Sequence, residues 1–124
     1  MTKLTDIGCY ILDMDGTIYL GDQVLPGARE LLAHFDAAEI PYYFFTNNSS
    51  KSPEDYVEKL ARLGFGDYDT GRIITSAHVS MQYIRRTYGE HAAVYTVGTP
   101  SLLGQLAEAG FDVSDSRKPD CILV

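Results

Sequence analysis

The sequence predicts an α/β fold with a largely parallel sheet, and two observations support this prediction. Short apolar runs typical of strands alternate along the chain with amphipathic segments at helical spacing. Glycine, proline and helix-capping residues separate the two kinds of segment. Because a repeated order of strand, helix and strand is typical of parallel strands joined by right-handed crossovers, we expect helices packed on a parallel sheet.

The first strand is predicted over residues 7–12, an apolar run that stops at Asp13. Such an uninterrupted run is typical of a parallel strand that is buried on both faces. The short segments 18–20 and 23–25 flank Gly21-Asp22, which predicts a small hairpin with a tight turn.

The remaining elements follow from the same signals. Strands are predicted over residues 42–45, 73–74, 93–97 and 120–124. Helices are predicted to begin near Gly27, Ser52, Ser76 and Thr99, with Ser52 and Ser76 as caps. The apolar positions expected along these helices are Ala28, Leu31, Leu32 and Phe35, then Val57, Leu60 and Leu63, then Tyr83, Ile84 and Tyr88, and finally Leu102, Leu103 and Leu106.

Two carboxylates follow the first apolar run. Asp13 and Asp15 flank Met14, and Gly16 lets the chain turn so that both side chains can approach one point. The carboxyl ends of strands are where open α/β sheets bind ligands. Adjacent like charges favour a bound cation, and Mg²⁺ prefers oxygen ligands. The alternative is an ordinary Asp-Gly turn that caps the next segment.

The polar residues after the second long apolar run form another candidate site. Thr46 and Asn47 follow residues 42–45, at the end of a strand that we expect to neighbour the first. Their hydroxyl and amide groups are able to donate hydrogen bonds to an anion. The alternative is that residues 46–50 are merely a polar turn.

These two segments carry a resemblance to a known family. Residues 9–17 resemble the first signature of the haloacid dehalogenase (HAD) superfamily, an apolar run followed by Asp-x-Asp-Gly-Thr. Residues 43–48 resemble the second signature, an apolar run that ends in Thr or Ser. The Thr-Asn-Asn form is similar to the subfamily IIA phosphatases, which include p-nitrophenyl phosphatases, pyridoxal phosphatases and nucleotide or sugar-phosphate phosphatases. The resemblance covers the whole chain and implies a Rossmann-like three-layer core.

The resemblance implies a role for each site residue. Asp13 would be the nucleophile, since a carboxylate can attack phosphorus and carry the phosphoryl group. Asp15 would be the general acid and base, and its presence favours a phosphatase or phosphomutase. Both acids would hold Mg²⁺, whereas Thr46, Asn47 and Gly16 would bind phosphate. The hairpin would be a flap over the site, although a plain surface hairpin is the alternative.

The same resemblance implies that parts of the site come from elsewhere. The family pattern needs a Lys and a later acidic motif. Lys51, Lys59 and Lys118 lie in or beside loops or a solvated helix, not in the context of the family's third motif. Gly66-Asp67-Tyr68-Asp69 superficially resembles the acidic motif, but it follows a helix stop and reads as a turn. We therefore expect residues 1–90 to be the N-terminal part of a HAD core and residues 91–124 to begin an inserted α/β cap. Such a chain is expected to be inactive alone.

Two other functions remain open at this point. The chain could be a catalytically silent module that uses the acid pair to bind metal or phosphate. It could also belong to a phosphotransferase or phosphomutase that passes the phosphoryl group to a sugar. The favoured hypothesis is a Mg²⁺-dependent hydrolase of a small phosphorylated metabolite.

Composition excludes several other classes. A net charge of −7 over 124 residues gives no basic surface for nucleic acid. Cys9 and Cys121 form no disulfide framework or zinc spacing, and each lies in an apolar run expected to bury it. Neither a signal segment nor a membrane span is predicted, so a cytoplasmic protein without membrane partners is expected, and a homodimer is allowed.

Overall fold

The computed structural model describes residues 6–48 and 50–124, and it has the predicted alternation of strands and helices. In chain order the elements are β1 (Tyr10–Asp13), β2 (Tyr19–Leu20), β3 (Gln23–Val24), α1 (Ala28–Ala37), β4 (Tyr42–Thr46), α2 (Pro53–Arg62), a 3-10 turn (Thr70–Arg72), β5 (Ile73–Thr75), α3 (Ser76–Tyr88), β6 (Val94–Thr96), α4 (Pro100–Glu108) and β7 (Cys121–Leu123). Within these ranges, no helix is long and apolar enough to cross a membrane. The predicted α/β class is confirmed.

The chain packs as two compact units. The first comprises the described residues of Met1–Thr46 and Pro53–Ile74, and the second comprises those of Asn47–Ser52 and Thr75–Val124. Helix α3 belongs to the second unit, because it shares a hydrophobic core with β6 and α4. The assignment of residues 1–90 to a core and 91–124 to a cap stays a prediction.

The first unit is built on a three-stranded sheet with the order β1, β4, β5. Strands β1 and β4 are parallel, as predicted, and Leu12 pairs with Phe44 while Asp13 pairs with Phe45. Helices α1 and α2, the hairpin and one face of the sheet enclose a core. Its buried members are Met14, Ile18, Tyr19, Ala28, Leu32, Phe35, Tyr42, Phe44, Tyr56, Leu60, Leu63 and Ile73.

Strand β1 is buried on one face only, so the prediction of burial on both faces was wrong. Tyr10 and Leu12 turn toward the core, and the ring of Tyr10 stacks on Phe35 with centroids 4.6 Å apart. Ile11 is 67% exposed, and it shares the open face with its register partner Tyr43. An apolar run does not distinguish these arrangements, because pairing and neighbouring helices decide which face is covered. The strand also begins at Tyr10 rather than at residue 7.

The predicted hairpin is confirmed. Strands β2 and β3 pair antiparallel, with Tyr19 opposite Val24 and Leu20 opposite Gln23. Its turn contains Gly21, whose φ of +58° lies in the left-handed region that favours glycine. Asp22 at the tip accepts a hydrogen bond from Arg62 of α2 at 3.0 Å. A role of the hairpin as a flap stays a prediction.

Helix α1 has the predicted position, but one of its apolar residues is misassigned. Ala28, Leu32 and Phe35 are buried, whereas Leu31 is 41% exposed. Leu32 and Phe35 follow Ala28 by four and seven positions, so the three residues lie on one helix face, and Leu31 lies beside that face. The core of the first unit covers only the face that carries these three residues.

The second unit contains a two-stranded parallel sheet, in which Val94 of β6 pairs with Cys121 of β7. Helices α3 and α4 pack against it around a second core. That core consists of Ala77, Ile84, Ala92, Val94, Leu102, Leu106 and Phe111. Tyr83 and Tyr88, which the sequence placed with Ile84, are largely exposed.

The helix starts of the second unit are set by threonines. The Thr75 hydroxyl accepts a hydrogen bond from the amide of His78 at 3.1 Å, so the cap of α3 is Thr75 and not the predicted Ser76. Helix α4 begins at the predicted place, and the Thr99 hydroxyl caps it by accepting a hydrogen bond from the amide of Leu102 at 3.2 Å. Either residue of a Thr-Ser pair is a good cap, and only the backbone conformation selects between them.

The two cysteines are free thiols and are less buried than expected. Cys9 precedes β1 and is exposed, whereas Cys121 in β7 is half-buried. Burial and the nearby Asp120 carboxylate raise the pKa of the Cys121 thiol.

Candidate functional site

The acid pair lies in a tight turn directly after β1. Met14, between the two acids, is fully buried in the core, whereas Asp13 and Asp15 are exposed on either side of it. The amides of Thr17 and Ile18 donate to the Met14 carbonyl at 3.1 and 3.0 Å. The buried Met14 therefore anchors a turn that presents two carboxylates to solvent.

Gly16 gives the turn its direction. Its φ is +82°, a conformation that side chains other than glycine rarely adopt, and its amide donates to the Tyr19 carbonyl at 2.7 Å. The Gly16 amide is thus already hydrogen-bonded within the turn. A direct role of Gly16 in binding phosphate stays a prediction that requires this amide to exchange partners.

Asp13 is oriented by Thr17. The Thr17 hydroxyl donates a hydrogen bond to Oδ2 of Asp13 at 2.9 Å. This bond limits the rotation of the carboxylate while leaving the side chain exposed. Thr17 was not predicted as a site residue, although its place in the first signature was a signal.

Thr46 lies at the same edge of the sheet as Asp13. Asp13 pairs with Phe45 in the parallel ladder, and Thr46 is the next and last residue of β4. The structure therefore brings together the ends of β1 and β4, where both candidate segments were predicted. Unlike the exposed acids, Thr46 is only 4% exposed.

Asn47 follows Thr46 but packs with the second unit. Its side chain is exposed, and its backbone carbonyl accepts a hydrogen bond from the Ser76 hydroxyl at 3.0 Å. Phosphate binding by Asn47 stays a prediction.

A buried tyrosine supports Thr46 from within the first unit. Tyr56 of α2 is 2% exposed, and its hydroxyl forms a side-chain hydrogen bond with Thr46. Burial raises the pKa of Tyr56; the bond to Thr46 lowers it, and the nearby Asp15 carboxylate raises it further. The predicted stripe of α2 omitted Tyr56, although its spacing of four and seven residues from Leu60 and Leu63 is helical.

A second buried tyrosine lies near the acid pair. Tyr19 is fully buried, and its hydroxyl has no hydrogen-bond partner among residues 6–48 and 50–124. Burial raises its pKa most, and the carboxylates of Asp15 and Asp13 add to this increase because a phenolate there would be repelled. The ammonium of Lys59 lies 4.0 Å from the centre of the Tyr19 ring.

The donor set of the acid pair fits Mg²⁺. This ion is commonly held by one or two protein carboxylates together with water and substrate phosphate. Asp13 and Asp15 offer such oxygens, but the described ranges contain no group of three His, Cys, Asp or Glu residues that could hold a metal. The pair could therefore supply part of a coordination shell, not all of it.

The Gly66-Asp67-Tyr68-Asp69 segment belongs to the other end of β4. It lines an open polar cavity together with Asp36 and Arg72. The Tyr68 hydroxyl lies 3.0 Å from that of Tyr42, the first residue of β4. Residues 66–69 form an irregular connection rather than the predicted turn, and they lie away from the carboxyl end of β1 that carries the acid pair.

Comparison with known proteins identifies the family. The family model of haloacid dehalogenase-like hydrolases matches residues 10–112, which include both candidate segments. The chain belongs to this family, as its two signatures indicated.

Individual relatives are named phosphatases. The chain is 34% identical over 115 residues to an acid sugar phosphatase of Staphylococcus haemolyticus, covering 93% of this chain and 43% of that protein. The crystal structure of 4-nitrophenylphosphatase from Thermotoga maritima matches with a TM-score of 0.84 and 36% identity, covering 94% of this chain and 44% of that one. NagD from Escherichia coli K-12 matches with a TM-score of 0.80 and 30% identity, covering 94% and 46%. The chain thus spans less than half the length of these relatives.

Proposed function

We propose that the protein to which this chain belongs is a Mg²⁺-dependent phosphomonoester hydrolase that uses Asp13 as its nucleophile. The observation that supports the proposal most is the shared sheet edge, where the exposed Asp13 carboxylate ends β1 and Thr46 ends the neighbouring strand. Membership of the haloacid dehalogenase-like hydrolases and the similarity to an acid sugar phosphatase and a 4-nitrophenylphosphatase agree with it.

The reaction would proceed in two transfers. A carboxylate oxygen of Asp13 attacks phosphorus, the bond to the ester oxygen breaks, and an aspartyl phosphate forms. Asp15 donates a proton to the leaving alcohol and later takes one from the water that hydrolyses the aspartyl phosphate. The hydrogen bond from Thr17 to Oδ2 of Asp13 would leave the other oxygen, Oδ1, to attack.

Hydrogen-bond donors would hold the phosphoryl oxygens. The Thr46 hydroxyl is the first candidate because it lies at the same edge as Asp13, and Asn47 and Gly16 are the others. The carboxylate of Asp13 and the backbone carbonyl of Asp15 would hold Mg²⁺. When bound, that ion would reduce the repulsion between the carboxylate and the phosphate.

The proposal concerns the complete protein. A Lys and a further acidic motif, expected from the family pattern, would complete the site, so the 124-residue chain alone is expected to be inactive. The substrate would be a small phosphorylated metabolite in the cytoplasm. Sugar phosphates are the first to test, because a relative is named an acid sugar phosphatase.

Chemical trapping tests the proposal. The complete protein is mixed with p-nitrophenyl phosphate and Mg²⁺, then quenched with borohydride, which reduces an aspartyl phosphate to homoserine. Mass spectrometry should find this change at residue 13. Modification of another acid would overturn the nucleophile, and absence of both turnover and trapping would favour a silent binding module. Transfer of phosphate to an added sugar in preference to water would instead indicate a phosphotransferase.

A further inference from the structure

We propose that Ser76 is a positioning residue that fixes the backbone at Asn47 and thereby orients this residue for bound phosphate. The inference rests on the proposed function, because it takes Asn47 as one of the phosphate ligands. Ser76 lies outside both signature segments, at the first position of α3. Its effect would pass entirely through Asn47, without a contact between the serine and the substrate.

A hydrogen bond joins the two residues directly. The Ser76 hydroxyl donates to the backbone carbonyl of Asn47, with 3.0 Å between the two oxygen atoms. Asn47 follows β4 and Ser76 follows β5, and these strands are neighbours in their sheet. Strand pairing therefore brings the serine to Asn47, although 29 positions separate the two residues in sequence. Both residues belong to the second unit.

The residues on either side of Ser76 hold it in place. Thr75 is fully buried, and its hydroxyl caps α3 by accepting a hydrogen bond from the amide of His78 at 3.1 Å. Ala77 is buried in the core of the second unit. Because both neighbours are fixed, the backbone of Ser76 has little freedom to move, and its hydroxyl stays within reach of Asn47.

The bond to the Asn47 carbonyl orients a whole peptide group. A trans peptide group is planar, and its carbonyl oxygen and amide hydrogen point in opposite directions. No cis peptide bond occurs among residues 6–48 and 50–124, so this geometry applies to the peptide between Asn47 and Asn48. Ser76 therefore restrains the backbone rotation of Asn47, and with it the direction from which the Asn47 side chain leaves the loop.

A second hydrogen bond restrains the chain one residue later. The side-chain oxygen of Asn48 accepts a hydrogen bond from the amide of Ser50 at 3.0 Å. A bond from an asparagine side chain to the backbone two residues later is typical of a tight turn. Asn47 thus lies between the end of β4 and this local bond, and Ser76 adds a restraint from a different element.

The restraint affects binding because the Asn47 side chain is exposed. An exposed side chain on a mobile loop has to be ordered when a ligand binds, and this ordering lowers the affinity. A backbone that is already held in one orientation removes part of that loss. We therefore expect the Ser76 hydroxyl to contribute to phosphate affinity rather than to the chemical step.

Removal of the hydroxyl tests the inference. In the complete protein, Ser76→Ala should raise the KM for p-nitrophenyl phosphate and the inhibition constant for inorganic phosphate by the same factor, about fivefold, as expected for the loss of one hydrogen bond. The kcat should stay within about twofold, because the phosphoryl group is held alike in the bound substrate and in the transition state. Unchanged constants would overturn the inference.

Two further variants separate positioning from a general change in α3. Ser76→Thr keeps a hydroxyl at the same place and should return both constants to within about twofold of the parent. Ser80→Ala is the matched control, because it removes a hydroxyl four residues later on the same helix, and it should leave both constants within about twofold of the parent. An equal rise in both alanine variants, or no rescue by threonine, would contradict positioning.

A structural readout distinguishes failure of the inference from failure of the proposed function. Backbone nitrogen relaxation in NMR spectra should report lower order at Asn47 and Asn48 in Ser76→Ala than in the parent. If the parent shows neither turnover nor trapping at Asp13, but Ser76→Ala lowers this order and weakens phosphate binding in calorimetry, the proposed function fails and positioning stands. If the parent is trapped at Asp13 and Ser76→Ala changes neither the order nor phosphate inhibition, positioning fails and the proposed function stands.

Discussion

The two ends of β4 carry different kinds of polar group. At the amino end, the buried Tyr42 hydroxyl donates to Asp36 at 3.0 Å and lies 3.0 Å from the Tyr68 hydroxyl. Arg72 donates to the Tyr42 carbonyl at 2.9 Å, and its guanidinium lies 5.0 Å from the centre of the Tyr42 ring. At the carboxyl end, Asp13 and Asp15 point two like charges toward solvent, and Thr46 lies beneath the surface.

The difference indicates that polar groups at one end of the sheet contribute to stability and that those at the other end are placed for chemistry. The polar groups at the amino end form hydrogen bonds with one another. Burial and the hydrogen bonds with Tyr68 and Asp36 raise the pKa of Tyr42, so its hydroxyl stays neutral. The carboxylates at the other end are exposed and are free to meet a ligand. Removing a polar group should therefore reduce stability at the amino end and activity at the carboxyl end.

The largest expected effect is that of Asp13→Asn, which tests the chemical role of the carboxyl end of the sheet. Turnover of the complete protein should fall on the order of a thousandfold or more, because an amide cannot replace the nucleophilic carboxylate. The melting temperature should hardly change, since the side chain is exposed. Steady-state kinetics and thermal unfolding check both statements, and retained turnover would refute the assignment.

Asp15→Asn should have the next largest effect. Loss of the general acid and base is expected to slow turnover by about 10² to 10⁴. Because the second transfer also needs this group, aspartyl phosphate should accumulate if hydrolysis is slowed more than formation. Rapid quench followed by mass spectrometry measures the phosphorylated fraction, and turnover equal to that of the parent would contradict the role.

At the structural end, Tyr42→Phe should reduce stability without affecting chemistry. The free energy of unfolding should fall by about 1 kcal/mol, because Asp36 and Tyr68 each lose a hydrogen-bond partner. Urea denaturation at pH 7 measures this change. A fall in kcat without a loss of stability would contradict the assignment of stability to the amino end of β4 and of chemistry to its carboxyl end.

Tyr19→Phe should have the smallest effect, and it tests the opposite case to that of Tyr42. It removes a buried hydroxyl that lacks a partner in the described part of the chain, so the free energy of unfolding should stay the same or rise by less than about 1 kcal/mol. The same denaturation experiment applies. A clear loss of stability would show that the Tyr19 hydroxyl is hydrogen-bonded in solution.

Local sequence signals predicted most of the elements but not their exposure. The run before Asp13 indicated a parallel strand, and β1 pairs in parallel with β4. The same run did not show that Ile11 faces outward, because exposure depends on which helices cover the sheet. The cap of α3 was displaced by one residue, because Thr75 and Ser76 have similar capping chemistry and backbone geometry selects one of them.

The candidate site was likewise predicted in part. Asp13, Asp15 and Thr46 were recognisable because each follows an apolar run at a turn, and their segments resemble two signatures of one family. Tyr56 was missed because the predicted apolar stripe of α2 began at Val57 and left it out. Its bond to Thr46 joins β4 to α2 and depends on how the helix packs.

The sequence by itself determined the order of strands and helices, the positions of the acids at a strand end and the family. These features depend on periodicity, turn residues and short motifs, all of which are local. Only the tertiary structure decided which face of β1 is covered, which residues bond to Tyr42 and Tyr56, and where the chain divides into two units. Those features depend on contacts between residues distant in sequence, and packing determines such contacts only when the whole chain is folded.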